Sequence, residues 1–235
     1  MDNNEQVNYT FKQKLDNFFY HYKWHVIIGA FLCFVLIWVI FSSFFQKGEE
    51  AYIGYIGDYA YSHEEKRKIS DKISAAIDLD LDGDGECAIE FRSLHYLSAA
   101  QVEELAQKAE KLDREFEYHP VQNEKNYENF VNELETGDTA VWLVSKEVYE
   151  MMDKSSLMSL QDILGYTPEG AVDEYALDCA DLDFATDMTR EIKYNSYLIM
   201  RVERDYSFIM GEQTAYDELE DDKALFKAVA EYKKS

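Results

Sequence analysis

Basic residues are scarce in this chain. In 235 residues, 23 Lys and Arg stand against 47 Asp and Glu, a formal net charge of −24. An excess of that sign repels phosphate backbones and anionic headgroups, so nucleic acid is excluded as an expected partner. It attracts cations, divalent metals and basic peptides, although an acidic surface that merely keeps a domain in solution accounts for the same excess. Proline occurs twice and no Pro- or Gly/Ser-rich stretch follows Gly48, so nothing marks a linker between domains, and no internal repeat is present. Cysteine occurs three times. Cys33 lies in a long apolar run, leaving Cys87 and Cys179 either to form one disulfide in an oxidising compartment or to stay as thiols. The catalytic signatures G-x-S-x-G, H-E-x-x-H, G-x-x-x-x-G-K-[ST] and G-x-G-x-x-G are all missing, and His63, His95 and His119 stand alone beyond the apolar run. No enzyme and no cofactor are expected. A hydrolase built on two carboxylates is the lesser alternative, because so many acids bring some pair together by chance.

Against these absences stands one long apolar stretch. The run His25–Phe45 contains no Asp, Glu, Lys or Arg, and fourteen of its positions are Leu, Ile, Val or Phe. A helix of that length spans roughly 30 Å, the thickness of a bilayer's hydrocarbon core. At about −0.3 to −0.6 kcal/mol each, the fourteen favour insertion by about 4–8 kcal/mol. A buried helix of a soluble protein rarely runs so far without a polar face. A cleaved signal peptide has a shorter apolar run and a small-residue cleavage pair, whereas here the exit reads Phe44-Phe45-Gln46-Lys47. An uncleaved signal anchor fits both features.

Lys12, Lys14 and Lys23 precede the span, and only Lys47, followed by Glu49 and Glu50, lies just beyond it. Positive flanks stay inside, so the N-terminus is expected in the cytoplasm and the remainder outside, at the cell membrane. Phe18, Phe19, Tyr20, Tyr22 and Trp24 form an interfacial aromatic belt; His21 and His25, an i, i+4 pair, belong to it rather than to a metal site. Three parts follow: residues 1–24 as a cytoplasmic juxtamembrane segment, 25–45 as the transmembrane helix, and 46–235 as an extracytoplasmic acidic domain. Asp2, Glu5 and Asp16 balance the three lysines before the span, so the whole −24 falls on the outer domain.

That domain alternates strands and helices. Ala51–Gly57 reads as a strand. Ser62-His-Glu-Glu65 is a capping box opening a helix with Ile69, Ile73, Ala76 and Ile77 on one face. Cys87, Ile89, Phe91 and Ser93 alternate as a second strand. A second capping box, Ser98 to Gln101, opens a helix with Val102, Leu105, Ala106, Ala109, Leu112 and Phe116 at helical spacing. Pro120 breaks that run; Tyr127, Phe130, Val131 and Leu134 mark another helix closed by Gly137; Thr139–Val144 is a buried strand. Ser145 caps a short helix carrying Val148, Met151 and Met152, and Leu157–Leu164 adds an apolar turn. Residues 165–194 read as loop, Ser196–Val202 as a fourth strand, and Ala215–Tyr232 as a closing helix. The expected class is α/β: an N-terminal transmembrane helix followed by a largely parallel sheet flanked by helices, joined by right-handed crossovers.

Two candidate sites emerge. Asp78-Leu-Asp80-Leu-Asp82-Gly83-Asp84-Gly85 carries half a Ca²⁺ loop: Asp80, Asp82 and Asp84 at positions 1, 3 and 5 and Gly85 at 6, but Phe91 where a bidentate acid belongs. A weak Ca²⁺ site and a metal-free Asp/Gly turn both satisfy it. Open α/β sheets bind ligands beyond the carboxyl ends of their strands. Those ends are Asp58 and Tyr59, His95 and Tyr96, and Ser145; tyrosines there suit a pocket or a protein interface, and also simply cover loops.

The strings KLDNFFYHYKWHVIIGAF, DLDGDG, YENFVNELETGDTAVWLVS and LMSLQDIL together resemble a group of single-pass proteins of Clostridia-like Gram-positive bacteria, whose outer domains are similar to one lobe of an extracellular solute-binding protein. The resemblance implies a binding lobe, although the stretch 47–235 is long enough for one lobe and not for a two-lobed clamshell. The expected function is therefore a membrane-anchored extracytoplasmic binding or interaction module, accessory to an envelope or transport assembly with an envelope protein as partner. The alternative is a small-ligand-binding sensor lobe read out through the anchor; the short cytoplasmic segment 1–24 and a chain ending at Ser235 argue against autonomous signalling.

Overall fold

The computed structural model describes residues 10–45, 51–77, 79–81, 83, 85–202 and 212–234. The chain divides into two units, Met1–Gly48 and Glu49–Ser235. Among the described residues, the first holds a single helix, α1 (Phe11–Phe45), within which Tyr20–Val39 is long and apolar enough to cross a membrane. Its apolar residues do not sort to one face: Ile27, Phe31, Leu36 and Trp38 are all more than half exposed. A helix apolar all round finds its partner in protein interior or in lipid, and no described residue of this unit covers it.

The second unit is a five-stranded sheet between helices. The strands are β1 (Ala51–Gly57), β2 (Ile89–His95), β3 (Val141–Ser145), β4 (Leu177–Asp178) and β5 (Ser196–Met200), in the order β2-β1-β3-β5-β4. The helices are α2 (His63–Ala76), α3 (Ala99–Lys111), α4 (Pro120–Thr136), α5 (Lys146–Met151), α6 (Leu160–Leu164), α7 (Asp183–Met188), α8 (Arg190–Asn195) and α9 (Glu212–Ala230). Both capping boxes form as the sequence predicts. Ser62 Oγ accepts from the Glu65 amide while Glu65 Oε2 accepts from the Ser62 amide, and Ser98 and Gln101 repeat the exchange. Helix α3 already ends at Lys111, with Asp113 at φ 51°, so Phe116 falls outside it and Pro120 does not end it; Pro120 occupies the first turn of α4, where its missing N–H costs nothing.

Alternation along the strands splits the core in two. Ile53, Tyr55, Phe91, Leu143 and Leu198 face α2 and α9, whereas Ile56, Trp142, Val144 and Ile199 face α4 and α5. The sheet is mixed, which corrects the largely parallel expectation. β1 pairs parallel with β2 and β3, but β5 runs antiparallel to β3 and β4. The reason lies in the connection. After β3 the chain runs to the far end of β5, where Leu157 bridges Arg201, and β4 then brings it back. Two six-residue helices turn it directly into Ser196, opposite Ser145, so no crossover intervenes and β5 must descend. Apolar runs alone do not encode strand direction. Residues 165–194, read as loop, thus hold β4, α7 and α8. Cys33, Cys87 and Cys179 are all thiols, so no disulfide joins the outer pair, and burial pushes the Cys179 thiol up.

The sheet's outer edge at β2 is closed by side chains. The Phe91 amide donates to Ser70 Oγ at 2.8 Å and the Ile89 amide to Ser74 Oγ at 2.9 Å, both hydroxyls projecting from α2. Asn126 Nδ2 donates to the His95 carbonyl at 2.7 Å. Unpaired edge amides invite pairing with another chain; here those of Ile89 and Phe91 are occupied. Removing both hydroxyls strands two amides at about 1–3 kcal/mol each. Ser70→Ala/Ser74→Ala is therefore expected to lower stability by about 2 kcal/mol or more in urea denaturation, with increased aggregation. An unchanged urea midpoint would mean that water replaces the serines.

Candidate binding cleft

The order β2-β1-β3 places a topological switch point between β1 and β3, because the chain leaves β1 toward one edge and returns to its other side. Such points open a crevice beyond the strands' carboxyl ends. A cleft of about 540 Å³ lies there. Its walls are Asp58 and Tyr59 following β1, Leu97 following β2, Gln101, Glu104 and Leu105 on α3, Glu147 on α5, and Arg190, Glu191, Tyr194 and Asn195 on α8. A larger groove, about 640 Å³, runs between α2 and β2, but it lies along the closed sheet edge and not at the strand ends.

Of the sequence candidates, Asp58 and Tyr59 line the cleft; His95, Tyr96 and Ser145 do not. Asp58 Oδ1 accepts from Asn195 Nδ2 at 3.0 Å, tying β1's exit to α8. Tyr59 donates its hydroxyl to Glu65 Oε1 at 2.9 Å, and that bond raises its pKa. Glu65 in turn is held below the usual carboxylate range, first by the Ser62 hydroxyl and amide and then by Tyr59. The Tyr59 ring is therefore a positioned wall and its hydroxyl is engaged. Ser145 is buried, and its Oγ accepts from the Val148 amide at 3.4 Å as the cap of α5. The Tyr96 ring packs against Tyr127, centroids 5.2 Å apart, with its hydroxyl donating toward Met151 Sδ at 3.7 Å. The His95 carbonyl, facing Asn126, belongs to the edge closure already described.

Asp82 and Asp84 of the Asp/Gly loop lie outside the described residues. Asp80 is described: its carboxylate accepts from the Gly83 amide at 2.7 Å and the Gly85 amide at 2.9 Å. Those two glycines sit at φ 78° and 86°, which is the bond pattern of an Asx-type turn needing left-handed residues.

The reading from sequence missed Glu104, Leu105, Glu147 and all of α8. Glu147 Oε2 is buried and has no hydrogen-bond partner among the described residues. Helix α3 buries no residue fully: Leu105 is 37% exposed and Leu112, at its C-cap, 55%. Val102 and Ala109 are half-buried on the same face. The signal for α8 was present in Thr189, whose Oγ1 accepts from the Ile192 amide at 3.1 Å as an ordinary N-cap. The cleft is thus largely polar, with Tyr59, Leu97, Leu105 and Tyr194 among its walls and four carboxylates against one guanidinium. No family model, curated protein or solved structure matches the chain.

Proposed function

We propose that this chain is a single-span membrane-anchored binding module, its N-terminus cytoplasmic and its acidic α/β domain outside, which engages a protein partner in an envelope or transport assembly. The observation that carries this reading is α3: an amphipathic helix on the rim of a strand-end cleft that leaves Leu105 and, at its C-cap, Leu112 exposed. Apolar surface exposed beside a groove marks a binding face. Lack of catalysis is part of the proposal and is supported by the missing nucleophile and metal signatures in the sequence. A place among the single-pass Clostridia-like proteins, with a solute-binding-like outer lobe, is proposed on the motifs quoted above. A second reading, a small-ligand sensor lobe, is favoured by the cleft's volume, which falls within the range of small-molecule sites, and by its place at the switch point.

Protease added to intact cells is expected to digest the outer domain and spare the segment 1–24; the reverse pattern would overturn the sidedness. Crosslinking in native membranes is expected to yield one stoichiometric protein partner that is lost with Leu105→Asp. A metabolite that raises the melting temperature, with no such partner, would favour the sensor lobe.

A further inference from the structure

A pocket of about 270 Å³ opens beside the amino end of β3 and shares no residue with the strand-end cleft. One face of α4 lines it, since Asn129, Asn132, Glu133 and Thr136 fall at i, i+3, i+4 and i+7. Thr139 and Trp142 line it from the β3 side and Arg92 from β2. Two buried polar atoms of this lining have no hydrogen-bond partner among the described residues: Glu133 Oε2, and Oγ1 of the fully buried Thr139. Buried polar groups are bonded as a rule, so two left open in one pocket call for an occupant that bonds them. We infer that the pocket binds a small amino alcohol, its protonated amine at Glu133. Charge sets the sign. The last turn of α4 carries Glu133 and Glu135 and no basic residue, although the carbonyl end of a helix favours cations. Arg92 is engaged elsewhere: its Nε donates to Glu90 Oε2 at 3.0 Å and its guanidinium lies 3.4 Å from the Tyr52 ring centroid. Among the described residues no ion pair joins it to Glu133. Gly137 gives the carboxylate its room, because a Cβ there would collide with Glu133, whereas its φ of −79° suits any residue. Size and polarity narrow the class further. The volume admits about nine water-sized groups, and the asparagines and the Thr139 hydroxyl offer donors and acceptors to an alcohol. A metal ion fits less well. Ca²⁺ gathers about six to eight oxygens, several from carboxylates, and among the described residues Glu133 alone brings a carboxylate to this pocket.

The probe is aminopentanol, read by fluorine NMR on the full chain in zwitterionic nanodiscs with fluorotryptophan in place of tryptophan. Trp142 is the only tryptophan outside the first unit, and Trp142→Phe assigns its resonance. Trp24 and Trp38 of α1 report any partition of the probe into lipid. Pentanediol, with a hydroxyl in place of the ammonium, is the matched neutral control. Aminopentanol is expected to shift the Trp142 resonance saturably and to bind about tenfold or more tighter than the diol, the difference a hydrogen bond to a charged group makes. Glu133→Gln removes the charge at constant size, and Thr139→Val removes the hydroxyl. Each is expected to weaken binding by about tenfold or more. Glu103→Gln, at an exposed site on α3, removes a carboxylate elsewhere and is expected to bind as the wild type does. Without aminopentanol, Glu133→Gln and Thr139→Val are expected to melt no lower than the wild type, since neither deletes a side-chain bond made within the fold. Lower melting of both with binding unchanged would make these groups part of the scaffold and overturn the inference. So would the absence of a saturable shift, equal binding of the diol, or CaCl₂ giving the same shift and displacing the amine. Failure here leaves the partner-binding reading to its own crosslinking test, because Leu105 lies outside this pocket.

Discussion

Gly54→Ala is expected to destabilise the outer domain by about 2–3 kcal/mol, more than any exposed substitution in it. Gly54 of β1 lies in register with Trp142 of β3. The indole lies across the glycine's empty side, and an added Cβ would overlap its six-membered ring. That ring is in no position to yield. It is buried, it meets Phe130 edge-on with centroids 4.9 Å apart, and its Nε1 donates to the Thr139 carbonyl at 3.0 Å. Overpacking a close-fitted core costs about 1–3 kcal/mol, and here the neighbour is pinned on two further sides. Trp142→Ala alone is expected to cost about 3–5 kcal/mol by opening a cavity. The two changes touch the same space and so do not add. With the indole gone, the methyl of Gly54→Ala enters vacated volume, and the double variant should lie within about 1 kcal/mol of Trp142→Ala. Chemical denaturation of the four proteins measures the coupling. Strict additivity would show that the glycine serves something other than the tryptophan.

That pair also shows where the sequence is informative and where it is silent. AYIGYIG and TAVWLV announce themselves as strands because they are short, apolar and bounded by turn residues, and the structure's bounds, Ala51–Gly57 and Val141–Ser145, follow them closely. Ser62 and Ser98 announce helix starts because capping is a local interaction, complete within one turn. Strand order and direction are not local. Nothing in SYLIM says that it must descend beside β3; the descent follows from β4 and two short helices delivering the chain to the wrong end for a crossover. The cleft was half legible for the same reason. Asp58 and Tyr59 follow a recognisable strand, so the rule of carboxyl ends reached them. His95 and Ser145 satisfy the same rule, but a carbonyl engaged by Asn126 and a hydroxyl spent on a helix cap take them into the scaffold. Leu105 was legible as part of an apolar helix face, but not as a wall of the cleft. Periodicity reports that a face wants covering and not what covers it.

Two arginines in the middle of α1 are expected to abolish membrane association altogether. The fourteen Leu, Ile, Val and Phe side chains between His25 and Phe45 favour insertion by about 4–8 kcal/mol. An arginine at the helix centre costs about 2.5–3.5 kcal/mol and also forfeits the leucine it replaces, a swing of about 3–4 kcal/mol per site. Leu32→Arg/Leu36→Arg therefore removes about 6–8 kcal/mol, the whole of the driving force. Both positions lie near the centre of the apolar run, where a side chain has the furthest to reach toward either headgroup layer. Because they are four apart they share one helix face, so rotating or tilting the helix does not bring either to water. Tyr20→Arg is the matched control. It adds the same charge at the interfacial end of the span, where arginine is tolerated, and reinforces the positive flank. After carbonate extraction the wild type and Tyr20→Arg are expected in the membrane pellet and the double variant in the supernatant. An intact double variant that resists extraction would show that α1 is not what holds the chain to the membrane. A wild-type product beginning beyond Phe45 would show that the segment is removed and that the outer domain acts untethered.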